Sequence, residues 1–108
     1  MRTERRRDER HSFKAMAEVV DEGENSRTSS KISDLSLHGC FVETVNPFQQ
    51  GTNVMIEICT DRESLETPAT VAFLKAKQGM GLTFRDMPES CANILHGWLK
   101  QARGKPAN

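Results

Sequence analysis

The chain has 108 residues, with 15 basic and 15 acidic side chains and no net charge. That length suits one domain able to bury roughly two-thirds of its unfolded-chain surface, and it holds no apolar run of membrane length. Residues 1–10 carry five arginines against three acids, residues 11–99 carry seven bases against twelve acids, and residues 100–108 add Lys100, Arg103 and Lys105 with no acid; a broad nucleic-acid grip, which needs a basic face rather than a basic thread, is therefore disfavoured.

The arginine-dense start, Arg5-Arg6-Arg7-Asp8-Glu9-Arg10, reads by composition alone as a solvated tail. It is not the head of a signal peptide, because Lys14 and Glu18 interrupt Phe13–Val20, and Glu4, Asp8 and Glu9 disfavour a mitochondrial presequence. The expected compartment is the cytoplasm. The domain plan is a flexible arm over 1–11, a folded unit over 12–102 and a disordered tail over 103–108.

Phe13, Ala15, Ala17 and Val19 alternate with Lys14, Met16, Glu18 and Val20, the pattern of a half-buried first strand. After the polar turn 21–26, Arg27 to Ser33 reads as a polar, edge-like second strand, and Gly39 to Val45 as a third, broken by Asn46-Pro47. Asn53 to Cys59 alternates most cleanly and is the fourth. A charged excursion, Asp61 to Glu66, precedes a fifth strand in which Ala69, Val71 and Phe73 share one face and Pro68 marks the start. Lys75 to Gly79 is a hairpin turn into a sixth strand ending at Phe84. The period then changes: Asp86-Met87-Pro88-Glu89 suggests a capping box, and Ile94, Leu95, Trp98 and Ala102 share a helical face over about 88–102. Trp98 is expected to act as a lid over a barrel mouth. Six short antiparallel strands and one terminal helix predict an all-β closed barrel with a C-terminal α-helix.

Between the second and third strands, Asp34-Leu35-Ser36-Leu37-His38-Gly39 spaces an acid, a hydroxyl and a glycine. Asp34 and Ser36 can bond nearby backbone groups in an Asx- or Ser-type turn, and Gly39 supplies either a positive φ or room for a ligand to approach the backbone. A carboxylate and a hydroxyl beside bare backbone suit the N–H edge of guanine. An ordinary strand-connecting turn would carry the same residues.

Three cysteines, Cys40, Cys59 and Cys91, form no C-x-x-C pair and stand at no metal-ligand spacing from a histidine, so neither a disulfide framework nor a zinc site is expected. His11, His38 and His96 are base partners for a thiol by residue type only. With no paired carboxylates in a glycine-framed site and no phosphate loop, an enzyme is not expected.

Arg6-Arg7-Asp8-Glu9-Arg10 resembles the R-x-x-x-R signature of PilZ domains, Asp34 to Gly39 their D/N-x-S-x-x-G signature, and Gly79 to Phe84 their last strand. The resemblance spans Glu4 to about Leu99. It implies a six-stranded PilZ barrel that binds cyclic di-GMP, a bacterial second messenger, with no cofactor or metal. In that family pattern Arg6 and Arg10 would contact phosphate and guanine, Arg5 and Arg7 would belong to the same binding arm, and Asp34, Ser36, His38 and Gly39 would line the barrel side. Arg5, just ahead of the signature, is associated with an intercalated pair of ligand molecules. A downstream protein partner is implied as reader of the closed arm. The competing readings are a PilZ-like interaction module that binds no nucleotide and, third, an arm that binds nucleic acid; no membrane contact is expected.

Overall fold

The computed structural model describes residues 11–104 of the chain. Six strands, β1 (His11–Asp21), β2 (Arg27–Leu35), β3 (Gly39–Glu43), β4 (Asn53–Cys59), β5 (Ser64–Lys75) and β6 (Gly79–Phe84), precede one helix, α1 (Glu89–Gly104). All neighbours are antiparallel, and they close into a barrel in the order β1-β2-β3-β6-β5-β4, with β4 returning to β1. Closure gives the inward side chains a single core. Ala17 and Val19 of β1, Val42 of β3, and Val54, Ile56 and Ile58 of β4 are buried as period-two alternation requires.

Several expectations about the elements are corrected. β1 starts at His11, and β3 ends at Glu43 rather than Val45. β2 is no edge strand: Ile32 to Leu35 pair on both sides, although Arg27 to Lys31 pair with β1 alone. β5 begins at Ser64, so the supposed excursion is half strand, with Leu65 and Thr67 buried. Pro68 lies inside β5, opposite Met55 of β4. Its carbonyl accepts from the Arg85 N–H at 3.0 Å, so its nitrogen points to the same side, beyond the end of β6, and no ladder hydrogen bond to β4 is lost.

The helix covers one end of the barrel. Trp98 is buried, its ring 5.3 Å from that of Phe13, and its indole N–H donates to Glu63 Oε1 at 2.8 Å. This is the lid that the apolar face of the helix predicted. The capping box does not form. The first helical bond runs from the Ala92 N–H to the Pro88 carbonyl, so the cap position falls on Pro88, and Asp86 stands outside at φ 48°.

Candidate functional site

Ile32 and Leu35 are both buried, three positions apart, which plain alternation forbids. The register with β3 steps from Ile32↔Val42 to Asp34↔Phe41, so Ser33 is an extra, bulged residue. The bulge resets the alternation: Leu35 returns to the core, and Asp34 is carried outward beside Phe41. Asp34 is thus the penultimate residue of β2 rather than part of the loop. In the turn that follows, the Ser36 N–H donates to the Gly39 carbonyl at 2.8 Å. The Ser36 hydroxyl donates to that carbonyl and accepts from the Gly39 N–H, both at 3.2 Å. A buried hydroxyl used twice by its own loop fixes the loop's shape. His38 is exposed, and its carbonyl accepts from the Phe84 N–H at 2.8 Å, tying the turn to β6.

Gly39 does not take a positive φ, and its bare backbone lies against β6: a Cβ there would meet the Leu82 carbonyl oxygen at 2.1 Å. The opposite wall also depends on a bulge. Between Val71↔Leu82 and Phe73↔Gly81, β5 gains Ala72, which turns Phe73 out of the core set that alternation assigned it. Phe73 lies over Gly81, where a Cβ would meet its ring at 2.2 Å, and its ring stands 6.1 Å from that of Phe41 in a stacked arrangement. Lys75 Nζ sits 5.7 Å from the Phe41 centroid.

These residues enclose a shallow cleft of about 80 Å³ on the outer face of β2, β3, β6 and β5, lined by Asp34, Ser36, His38, Gly39, Phe41 and Phe73 among others. The aromatic pair was missed in the sequence. Its only signal was Gly79-x-Gly81, which leaves bare backbone beneath two phenylalanines. A carboxylate at one rim and an aromatic ledge at the other can take a planar heterocycle, the acid accepting its N–H groups and the rings meeting its face.

β1 enters at this rim, since His11 pairs with Leu35 and Ser12 with Asp34. Arg5, Arg6, Arg7 and Arg10 lie outside the described residues, but Arg10 is one peptide bond from His11. The four barrel positions Asp34, Ser36, His38 and Gly39 are therefore brought together.

Cys40 and Cys59 hold their protons more tightly than an ordinary thiol. Burial, with the Asp34 carboxylate adding to it, pushes the Cys40 thiol far above its ordinary range. Burial and the Glu57 carboxylate raise Cys59 as well. Among the described residues no group of His, Cys, Asp and Glu side chains is placed to hold a metal ion, and no helix is long and apolar enough to cross a membrane.

The PilZ domain model matches residues 4–101 of this chain. The chain belongs to the PilZ domain family. No curated protein sequence matches it. Among solved structures, this PilZ domain is similar to the Bacillus subtilis inhibitor of motility MotI/DgrA (TM-score 0.78, 18% identity), covering 98% of its own length but only 56% of that chain. It is also similar to the PilZ domain of Escherichia coli YcgR with c-di-GMP (TM-score 0.70, 19% identity, 93% and 95% covered). A third likeness is to the PilZ domain of CeSA from a cellulose-synthesizing bacterium (TM-score 0.68, 19% identity, 89% and 96% covered). At these identities the likeness extends to the fold.

Proposed function

We propose that this PilZ domain is a cyclic di-GMP receptor in which the arginine arm closes over the cleft between Asp34 and Phe73. The observation that carries this is the β1–β2 register. His11↔Leu35 and Ser12↔Asp34 start the arm at the rim that holds the acid, so Arg6 and Arg10 need no long span to reach a ligand there. A chain extends by at most about 3.6 Å per residue, so Arg6 is within about 18 Å of His11. Family membership and the c-di-GMP bound by the YcgR PilZ domain support the choice of ligand.

The chemistry divides between the two sides. Two phosphodiesters carry fixed charge that Arg6 and Arg10 meet with paired hydrogen bonds, the geometry a guanidinium supplies and an ammonium does not. Asp34 accepts from guanine N1–H and N2–H, while Phe73 offers a face to the base. Ordering the arm costs roughly 1 to 2 kcal/mol per residue fixed, and each charged contact returns about 1.5 to 3 kcal/mol, so closure needs several contacts at once. Arg5, ahead of the signature, favours an intercalated pair of ligand molecules, and the closed arm presents a new surface to a protein partner.

Isothermal titration with cyclic di-GMP, GTP and short RNA distinguishes the readings. Saturable heat with cyclic di-GMP alone, two molecules per chain, and its loss in Arg6→Ala and Arg10→Ala with the circular dichroism spectrum intact, is the expected result. Unchanged affinity in both variants refutes the site, and no heat with any nucleotide leaves the interaction-module reading.

A further inference from the structure

The outer face of β1, β4 and the first half of β5 lies around the barrel from the cleft, and register orders its side chains into stripes. Glu18 of β1 is opposite Glu57 of β4, which is opposite Glu66 of β5, so three carboxylates stand side by side across three strands. Opposed positions on adjacent strands have Cβ atoms about 4.5 to 5.5 Å apart, and like charges so placed oppose folding. Only Glu18 has a cationic partner among the described residues, Arg27. Nothing in the fold requires the row. The inward neighbours Ala17, Val19, Ile56, Ile58, Leu65 and Thr67 fill the core whatever stands outside.

The acids do not stand alone. Two residues to one side along the strands lie Val20, Met55 and Pro68 in register, and two to the other side lie Met16 and Cys59. Met16 is 55% exposed, among the most exposed large apolar side chains of the described residues. Along β1 and β4 the face therefore reads apolar, acid, apolar at two-residue intervals, about 6.6 Å apart, whereas on β5 the position beyond Glu66 is Ser64. The neighbouring Cys59 thiol is raised by burial first, and by the Glu57 and Glu18 carboxylates after it.

We propose that this striped face docks a partner protein's extended segment in which a lysine or arginine stands two residues from an apolar side chain on either side. Such a segment has the same two-residue period as the strands beneath it. Its cation meets Glu57 and Glu66, which have no cationic partner among the described residues, and its flanking apolar groups cover Met16 on one side and Val20 and Met55 on the other. Charge complementarity selects this occupant: a second copy presenting the same face would set acid against acid, and nucleic acid or an anionic membrane would be repelled. The proposal goes beyond the nucleotide reading and does not depend on it, because the face shares no residue with the cleft.

The test uses the full chain without nucleotide. A fluorescein-labelled peptide repeating Leu-Ser-Lys-Ser is titrated by anisotropy beside one repeating Leu-Ser-Glu-Ser. Saturable binding of the lysine peptide alone is expected. Binding weakens about tenfold in Glu57→Gln/Glu66→Gln and is unchanged in Glu24→Gln/Asp61→Asn, which removes the same charge elsewhere. Removing like charges from the row does not endanger the fold, and Met16→Ser weakens binding without altering charge. No saturable binding, or equal loss in the two double variants, overturns the proposal; the second result would mean general charge attraction only.

Discussion

A Cβ at Gly39 would sit 2.1 Å from the Leu82 carbonyl oxygen and 3.1 Å from its carbon, in backbone rather than in a side chain that could turn aside. β6 cannot withdraw, because it is paired on both sides, to β3 and β5. Gly39→Ala is therefore expected to destabilise the domain by about 1 to 3 kcal/mol, read from urea unfolding with the m-value unchanged. A second effect concerns Cys40, one residue on, buried on the inner face. Its folded-state titration is raised above the ordinary thiol value of 9.0 by burial first and by Asp34 second. The sign follows from proton uptake. Below 9.0 both folded and unfolded chains keep the proton, and the full stability is present. Above it the unfolded thiol ionises while the folded one does not, so stability falls as pH rises. Urea midpoints between pH 8 and 10.5 should fall in the parent, and less steeply in Cys40→Ala; equal slopes would mean that other groups govern the decline.

At the scale of elements, β1 and β4 were legible because strict alternation survives in them: Val19, Val54, Ile56 and Ile58 are buried as their spacing predicts. β2 and β5 were less so, because bulges at Ser33 and Ala72 each reset the period by one residue. Both bulges feed the cleft, the first by aiming Asp34 and the second by aiming Phe73. The acid and loop signature could be read from residue types, whereas the aromatic ledge required knowing where alternation fails. Ile32 and Leu35, apolar at odd spacing inside one strand, were the trace of the first bulge. The helix shows a different departure from local preference. Gly97 is exposed in the interior of α1, and a Cβ there would meet nothing within 4 Å. Gly97→Ala should stabilise the protein by about 0.5 to 1 kcal/mol, because alanine loses less backbone freedom on entering a helix. A loss of stability in calorimetry would mean that the helix there approaches something beyond the described residues.

For the whole molecule, the start of β1, the cleft and the helix lie toward one end of the barrel. His11 joins the arm to the rim at Leu35, and two residues later Phe13 packs on Trp98, the only tryptophan of the chain. In the proposed closure the arm would pull on β1 where β1 touches the lid, which would make Trp98 a reporter of that closure. Its indole N–H is held by Glu63 at 2.8 Å, and any shift of Phe13 changes the environment of a ring already excluded from water. Saturating cyclic di-GMP is expected to change Trp98 emission in the parent and not in Arg6→Ala/Arg10→Ala. Ligand that binds only the folded chain adds about 2.7 kcal/mol at a hundredfold excess over Kd, which for a domain of this size raises Tm by about 10 to 20 °C. The two readouts separate the steps: a Tm rise with silent Trp98 would place the ligand in the cleft without transmission to the helix. Loss of both in the arginine variant, with its Tm equal to that of the ligand-free parent, would assign binding and transmission to the arm together.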